Sequence, residues 1–550
     1  MSTPPLPESA AMRAGDSRRV LALALDAPSP RLLEQWIAEG LLPNLRALAK
    51  RSLVMPIHSQ KQHSNEHAWV PVLTGRGRAR WDHWLDRWRP EAYSFEEASL
   101  FDWIQAPMFY ALGSRRRVVA FDLAAPVVPG VEGVQVTGFA AELNESFPQS
   151  DPGALIDRLV ARYGIDPKTG DAQRTVNAVS GREGVSWTVP CAYDVPRMRE
   201  FSHALVRSVE RRTAACLELM REERWDLFVA GYSEVHTAGH ILWHLSQPHP
   251  LQVLREAGEP DPLLAVYRAV DRSVGELVRA AGAESVVFFT LDATVTDSLE
   301  NTRVMFLPEF LYRRRFGRAA LAEGDASRPP PPPRLDYREH WKHEIWRLRT
   351  AWGEADLESP ALQQSRGDPL GWCPANWYRP LWPRMEAFAL PSVADGYVRL
   401  NVRGREAQGR VDPADFAVLS ERLAAEISTL VNARTGEPIV REVVRVRSDP
   451  FDADPKKPPA DLIVVCREDG PVDVVDSPLV GRIGPVPYFR TSAHQSHGAL
   501  LANHLYVSGP RAGAPRVRTG PGRLEDVPAT ILELLGVERP PGFDGVSVLA

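Results

Sequence analysis

Fourteen histidines are spread unevenly over 550 residues, and four short segments hold most of them. The segments are HSQKQHSNEHAW (His58, His63, His67), SEVHTAGHILWH (His236, His240, His244), REHWKH (His340, His343) and SAHQSHGALLANH (His494, His497, His504). His236 and His240 stand four apart directly after an apolar run, so a helix starting there places both imidazoles on one face. Two imidazoles at that spacing suit a transition metal, although the same pair serves in ordinary polar packing. His340 and His343 read as a polar helix face.

The elements that would position these groups form an alternating pattern. In RRVLALALDAPSP the apolar run from Val20 to Leu25 ends in Asp26 and a proline turn. Such a run predicts a central parallel strand buried on both faces, with an acid at the C-terminal edge where α/β sheets collect ligands. Leu32, Leu33, Trp36 and Ile37 then recur at helical spacing. Further buried-strand candidates are 116–123, 225–234, 284–292 and 460–468, each after a helical stretch. This alternation predicts an α/β fold with a mostly parallel central sheet and helices on both faces. Residues 303–393, with RPPPPPR at 328–334 and the Trp-rich 371–384, interrupt it and read as a cap insertion. The polyproline favours an extended spacer, and the Trp372–Trp382 stretch favours insertion core over an aromatic substrate box. Residues 394–458 read as a small α+β subdomain, 18–302 and 459–550 as the core, and 1–17 as a loose N-terminus.

Composition narrows the functional classes. With 65 Lys+Arg against 70 Asp+Glu the formal charge is −5, which argues against a nucleic-acid partner held by phosphate neutralisation. No run of 18 apolar residues and no apolar leader segment occurs, so neither a membrane span nor a secretion signal is expected. The four cysteines, Cys191, Cys216, Cys373 and Cys466, are widely spaced with no CxxC, which favours a reducing, cytoplasmic setting. Nothing in the sequence sets an oligomeric state.

From about residue 19 onward a series of motifs follows one order: LALDAPSPRLLEQWIAEGLLPNLRALAKRS, AWVPVLTG, WDLFVAGYSEVHTAGHILW, VVFFTLDATVTD, GYVRLNVRGREAQGRV, PADLIVVC, SAHQSHGALLANHLYVSGP and EDVPATILELLGVERPPGFDGVSVL. This series resembles the alkaline phosphatase superfamily, in its type I phosphodiesterase/nucleotide pyrophosphatase-like branch. The resemblance implies an alkaline-phosphatase-like α/β core with paired metal ions, usually zinc, flanking a Thr or Ser nucleophile at the strand edges. It assigns Asp26, His240, Asp292 and His494 as metal ligands.

Three positions depart from the family pattern. The nucleophile position, ten residues before Gly75, falls on Asn65, whose carboxamide cannot accept a phosphoryl group; Ser64 substitutes only if the loop shifts by one residue. His236 replaces an aspartate ligand, and Ala293 replaces a histidine ligand. One site therefore becomes His236, His240 and His494, three neutral imidazoles suited to Zn²⁺ and open also to Fe²⁺, Cu²⁺ or Mn²⁺. The other keeps Asp26 and Asp292, with Asn65 as a weak oxygen ligand, and should bind a second ion poorly. His63, His67 and His497 are substrate-contact candidates. Arg76, Arg78 and Arg80 suit an anionic substrate or a solvated surface equally.

Three functions follow as expectations. The first is a metal-dependent hydrolase or transferase of phosphate or sulfate esters of a small, anionic molecule, with Ser64 or a metal-activated water as nucleophile. The second is a repurposed metalloenzyme with redox or Lewis-acid chemistry at a three-histidine iron or copper. The third is a non-catalytic ligand-binding relative.

Overall fold

The apolar run at Val20 forms the middle strand of a nine-stranded sheet, buried along its whole length. The computed structural model describes residues 18–58, 68–77, 86–97, 106–140, 148–168, 173–176, 183–186, 190–297, 300–368, 370–392, 395–467, 470–494, 503–509 and 520–549. Along the chain the strands that matter to the site are β1 (Val20–Asp26), β2 (Leu53–His58), β3 (Gly113–Phe121), β4 (Val131–Thr137), β5 (Gln149–Asp151), β6 (Leu227–Tyr232), β7 (Ser285–Leu291), β8 (Thr294–Thr296), β9 (Ser492–His494), β10 (Asn503–Ser508) and β11 (Gly522–Arg523). The large sheet runs β11-β2-β10-β7-β1-β6-β3-β4-β5. Strands β7, β1, β6, β3 and β4 are mutually parallel, while β10 is antiparallel to both its neighbours and β5 closes the far edge antiparallel. The fold is α/β with a mixed, mostly parallel sheet, as the alternating pattern predicts.

Strand alternation sorts side chains into two cores. Leu21, Leu23 and Leu25 join Leu205 and Leu219 of α1 (Val195–Glu222) on one face. They also join Val270 and Leu277 from a later helix, Pro262–Ala281. Val20, Ala22 and Ala24 face the other way, against Val527, Ile531 and Leu535 of the helix Asp526–Leu535. Between these layers Arg212 of α1, wholly buried, reaches Asp122 at 2.9 Å and Glu234 at 3.0 Å. That contact ties α1 to α2 (Glu234–Leu242), which leaves the end of β6. Among the described residues no helix is long and apolar enough to cross a membrane.

A second hydrophobic core is built mainly from the chain between β8 and β9, joined by Tyr93 and Phe95 from an earlier hairpin. There Ala387–Leu390, Gly396–Leu400, Leu462–Cys466 and Val440–Arg445 form an antiparallel sheet in that order. The run at 460–468, expected in the central parallel sheet, therefore belongs to this second sheet. A run such as LIVVC reports burial on both faces and carries no information on which neighbours pair with it. This sheet spans both expected boundaries, near 393 and near 458. Trp377 and Trp382 are fully enclosed in its core, and His340 caps the helix Trp341–Arg347 by accepting from the Lys342 N–H.

Candidate metal centre

Three strand ends break sharply at one edge of the parallel sheet. Ala27 after β1, Asp122 after β3 and Asp292 after β7 have φ of 42°, 53° and 60°. Each non-glycine residue in this left-handed region costs on the order of 1 kcal/mol or more, and such strain collects at functional sites. At this edge the chain also begins α2, whose i,i+4 spacing carries His236 and His240. The third imidazole arrives from far along the sequence. Strand β9 pairs antiparallel with β8, setting His494 opposite Thr294. Gly239 lets α2 approach that ladder, because a Cβ there would stand 3.1 Å from Thr294 Cγ2.

The Nε2 atoms of the three rings converge. His236 to His240 is 3.1 Å, His236 to His494 is 2.9 Å and His240 to His494 is 3.1 Å. Among the described residues they are the group of three or more donors close enough to share an ion.

The atoms behind the rings decide what this convergence means. His240 Nδ1 lies 3.0 Å from the Ser492 carbonyl, which only accepts, so Nδ1 carries the proton and Nε2 the lone pair. His236 Nδ1 is 3.1 Å from Asp26 Oδ2, and His494 Nδ1 is 3.3 Å from Asp292 Oδ2. The Asp26 carboxylate imposes the same tautomer on His236, whereas Asp292 stands beside His494 without a hydrogen bond to it. The lone pairs of His236 and His240 therefore point at each other and at His494 Nε2. A triangle of nitrogens about 3 Å apart cannot be closed by linear hydrogen bonds, but it fits a first-row ion bonded to imidazoles at about 2.0–2.1 Å. The donor set fits a divalent transition metal.

Electrostatics agree with the tautomers. Burial holds the His240 imidazole well below its ordinary pKa, reinforced by the charge of Arg490 and by His236, so the ring is neutral near neutral pH. Arg490 is partly exposed and has an ion-pair contact at 4.0 Å, to Glu300.

The structure brings together His236, His240 and His494, with Asp26 and Asp292 directly behind two of them. The resemblance assigns both acids as ligands of a second ion; here each carboxylate also lies beside an imidazole Nδ1. Both acids stand at the ends of adjacent strands, β1 and β7. Ser64, Asn65, His63, His67 and His497 lie outside the described residues, as do Arg78 and Arg80.

Fold and site together define an α/β protein with a three-imidazole centre at the C-terminal edge of its parallel strands. No family model matches the chain, and no curated protein matches it. Solved structures similar to it include wild-type alkaline phosphatase PafA, at 12% identity and TM-score 0.49 over 98% of this chain and 99% of that one. Phosphonoacetate hydrolase from Sinorhizobium meliloti in complex with phosphonoformate has 14% identity and TM-score 0.44, covering 95% and 96%. Murine ectonucleotide pyrophosphatase/phosphodiesterase 5 has 11% identity and TM-score 0.44, again covering 95% and 96%. These neighbours are alkaline phosphatase superfamily members, and the likeness is one of fold.

Proposed function

We propose that this chain is a metal-dependent hydrolase or transferase acting on the phosphate or sulfate ester of a small anionic molecule. One divalent transition ion, zinc in the first reading, would be held by His236, His240 and His494. The observation that carries this reading is the convergence of three imidazole Nε2 atoms, two of them with tautomers set from behind. The bound ion would supply a Lewis acid that polarises a phosphoryl or sulfuryl oxygen. The chain's own residues do the rest. Asp26 keeps the Nδ1 proton of His236 in place and the Ser492 carbonyl that of His240, while the Asp292 carboxylate stands 3.3 Å from His494 Nδ1. Three neutral ligands leave the ion's charge uncancelled at first contact, which favours an anionic substrate. Ser64, beside Asn65, or a water is the nucleophile. The four cysteines are all free thiols, which supports a cytoplasmic setting.

The test is metal quantification on protein purified without added metal, followed by p-nitrophenyl phosphate, phosphodiester and sulfate panels. One zinc per chain, with activity lost on chelation and in His236→Ala, is expected. Inactivity on every ester would overturn the reading. The all-imidazole donor set also suits a second reading, redox or Lewis-acid chemistry at iron or copper. Retained iron or copper in protein inactive on all esters would select it.

A further inference from the structure

The polyproline tract has no part in the proposed chemistry, and its exposure has a period of its own. Arg328 and Pro329 are exposed and Pro330 half-buried; Pro331 and Pro332 are exposed and Pro333 half-buried; Arg334 and Leu335 are exposed. Each proline fixes φ near −65°, and each residue before a proline is driven to extended backbone. Five in succession therefore form a polyproline II helix, with three residues per turn and about 3.1 Å rise per residue. The period-three exposure matches that geometry. One edge, Pro330 and Pro333, lies on the protein. Two edges stand free: Pro329 with Pro332, and Arg328 with Pro331 and Arg334.

The tract is held in that orientation from beneath. Arg434 donates from Nη1 to the Pro331 carbonyl at 3.0 Å and is itself paired with both oxygens of Asp473 at 2.6 Å. Arg482 donates to the Arg328 carbonyl at 2.5 Å. The two terminal guanidiniums point outward, with side-chain exposures of 82% for Arg328 and 59% for Arg334. Their carboxylate contacts are local, to Asp325 at 3.3 Å and Asp336 at 3.2 Å. Exposed pairs of this kind are worth at most about 1 kcal/mol and are readily exchanged.

We propose that Arg328–Arg334 is a docking strut for a partner domain that reads polyproline II helices through a groove between aromatic side chains, with a carboxylate at one end. Such grooves take up two adjacent edges of the helix, and two adjacent edges are what the tract leaves free. The Pro329-x-x-Pro332-x-Arg334 spacing puts two ring contacts about 9 Å apart, with a guanidinium beyond them to meet the carboxylate. Because the helix is preformed and anchored, binding costs little ordering entropy.

The experiment immobilises the purified full-length protein and measures binding of three purified polyproline readers, an SH3, a WW and an EVH1 domain. The SH3 domain, whose rim is acidic, is expected to saturate with a Kd below about 100 µM. Binding should fall roughly tenfold or more in Pro329→Ala/Pro332→Ala and in Arg334→Glu, and stay unchanged in His236→Ala. Pro329, Pro332 and Arg334 are exposed, and unchanged thermal unfolding of the variants at those positions verifies that the fold is kept. The proposal is overturned if none of the three domains saturates, or if binding survives loss of Pro329 and Pro332. It stands or falls separately from the metal site.

Discussion

Replacing Asp26 by Asn tests the supporting role of the carboxylates most directly. Asp26 is buried, and its Oδ2 accepts from His236 Nδ1 at 3.1 Å. Asparagine keeps the shape and an accepting oxygen but removes the charge. A hydrogen bond to a charged group contributes about 1.5–3 kcal/mol, against about 0.5–1.5 kcal/mol for a neutral one. The difference, on the order of 1–1.5 kcal/mol, corresponds to roughly a tenfold weaker metal affinity. This is the low end of the 10–100-fold range seen when groups behind a ligand are lost. Asp26→Ala, which removes the acceptor altogether, belongs near the high end. The assay is chelator competition for zinc, with thermal unfolding of metal-free and metal-loaded protein run in parallel. The metal-free variant should unfold near the wild type, while the stabilisation conferred by a fixed excess of zinc shrinks by about 1.4 kcal/mol. An affinity within twofold of wild type for both Asp26→Asn and Asp26→Ala would refute the account of how His236 is held.

Gly239→Ala should weaken zinc binding by pressing on Thr294 and shifting β8 against His494, with little change in melting temperature, since alanine adds about 1 kcal/mol of helix propensity. Arg212→Met strands the buried carboxylates of Asp122 and Glu234 and should cost roughly 3–5 kcal/mol in denaturant unfolding; a loss near zero would contradict the pairing. Burial lowers His244 from 6.5 to about 4 and His249 to about 3, so the unfolded chain binds more protons in that interval and stability drains away as pH falls below about 6.5. For His244 the loss at about pH 5 is on the order of 2 kcal/mol, read as the difference between wild type and His244→Gln in urea unfolding at about pH 7.5 and about pH 5.

The sheet was legible where burial pattern and position coincide. VLALALD, LFVAGY and SVVFFTL are wholly buried strands that end at the edge bearing Asp26, His236 and Asp292. The i,i+4 histidines were legible for a local reason, the helical repeat after β6. His494 came only through resemblance, because its approach depends on the β8–β9 ladder and no local pattern encodes a pairing across that distance. The Leu462–Cys466 strand was misplaced for a related reason: apolar runs report enclosure and leave partners open. The placement of Asp26 and Asp292 beside His236 and His494 needed coordinates, since an acid at a strand end looks the same whether it faces an ion or a ring.

Thr296 lies opposite Ser492 in the β8–β9 ladder, so the chain between them departs and returns side by side. A body whose chain enters and leaves side by side can vary without rethreading the central sheet, provided it keeps its seat for Tyr93 of the earlier hairpin. The burden of such variation falls unequally on the centre. His236 and His240 ride on a helix anchored in the core, whereas His494 stands at the end of the returning strand. Force or sequence drift in the inserted body is thus felt first by a single imidazole, His494.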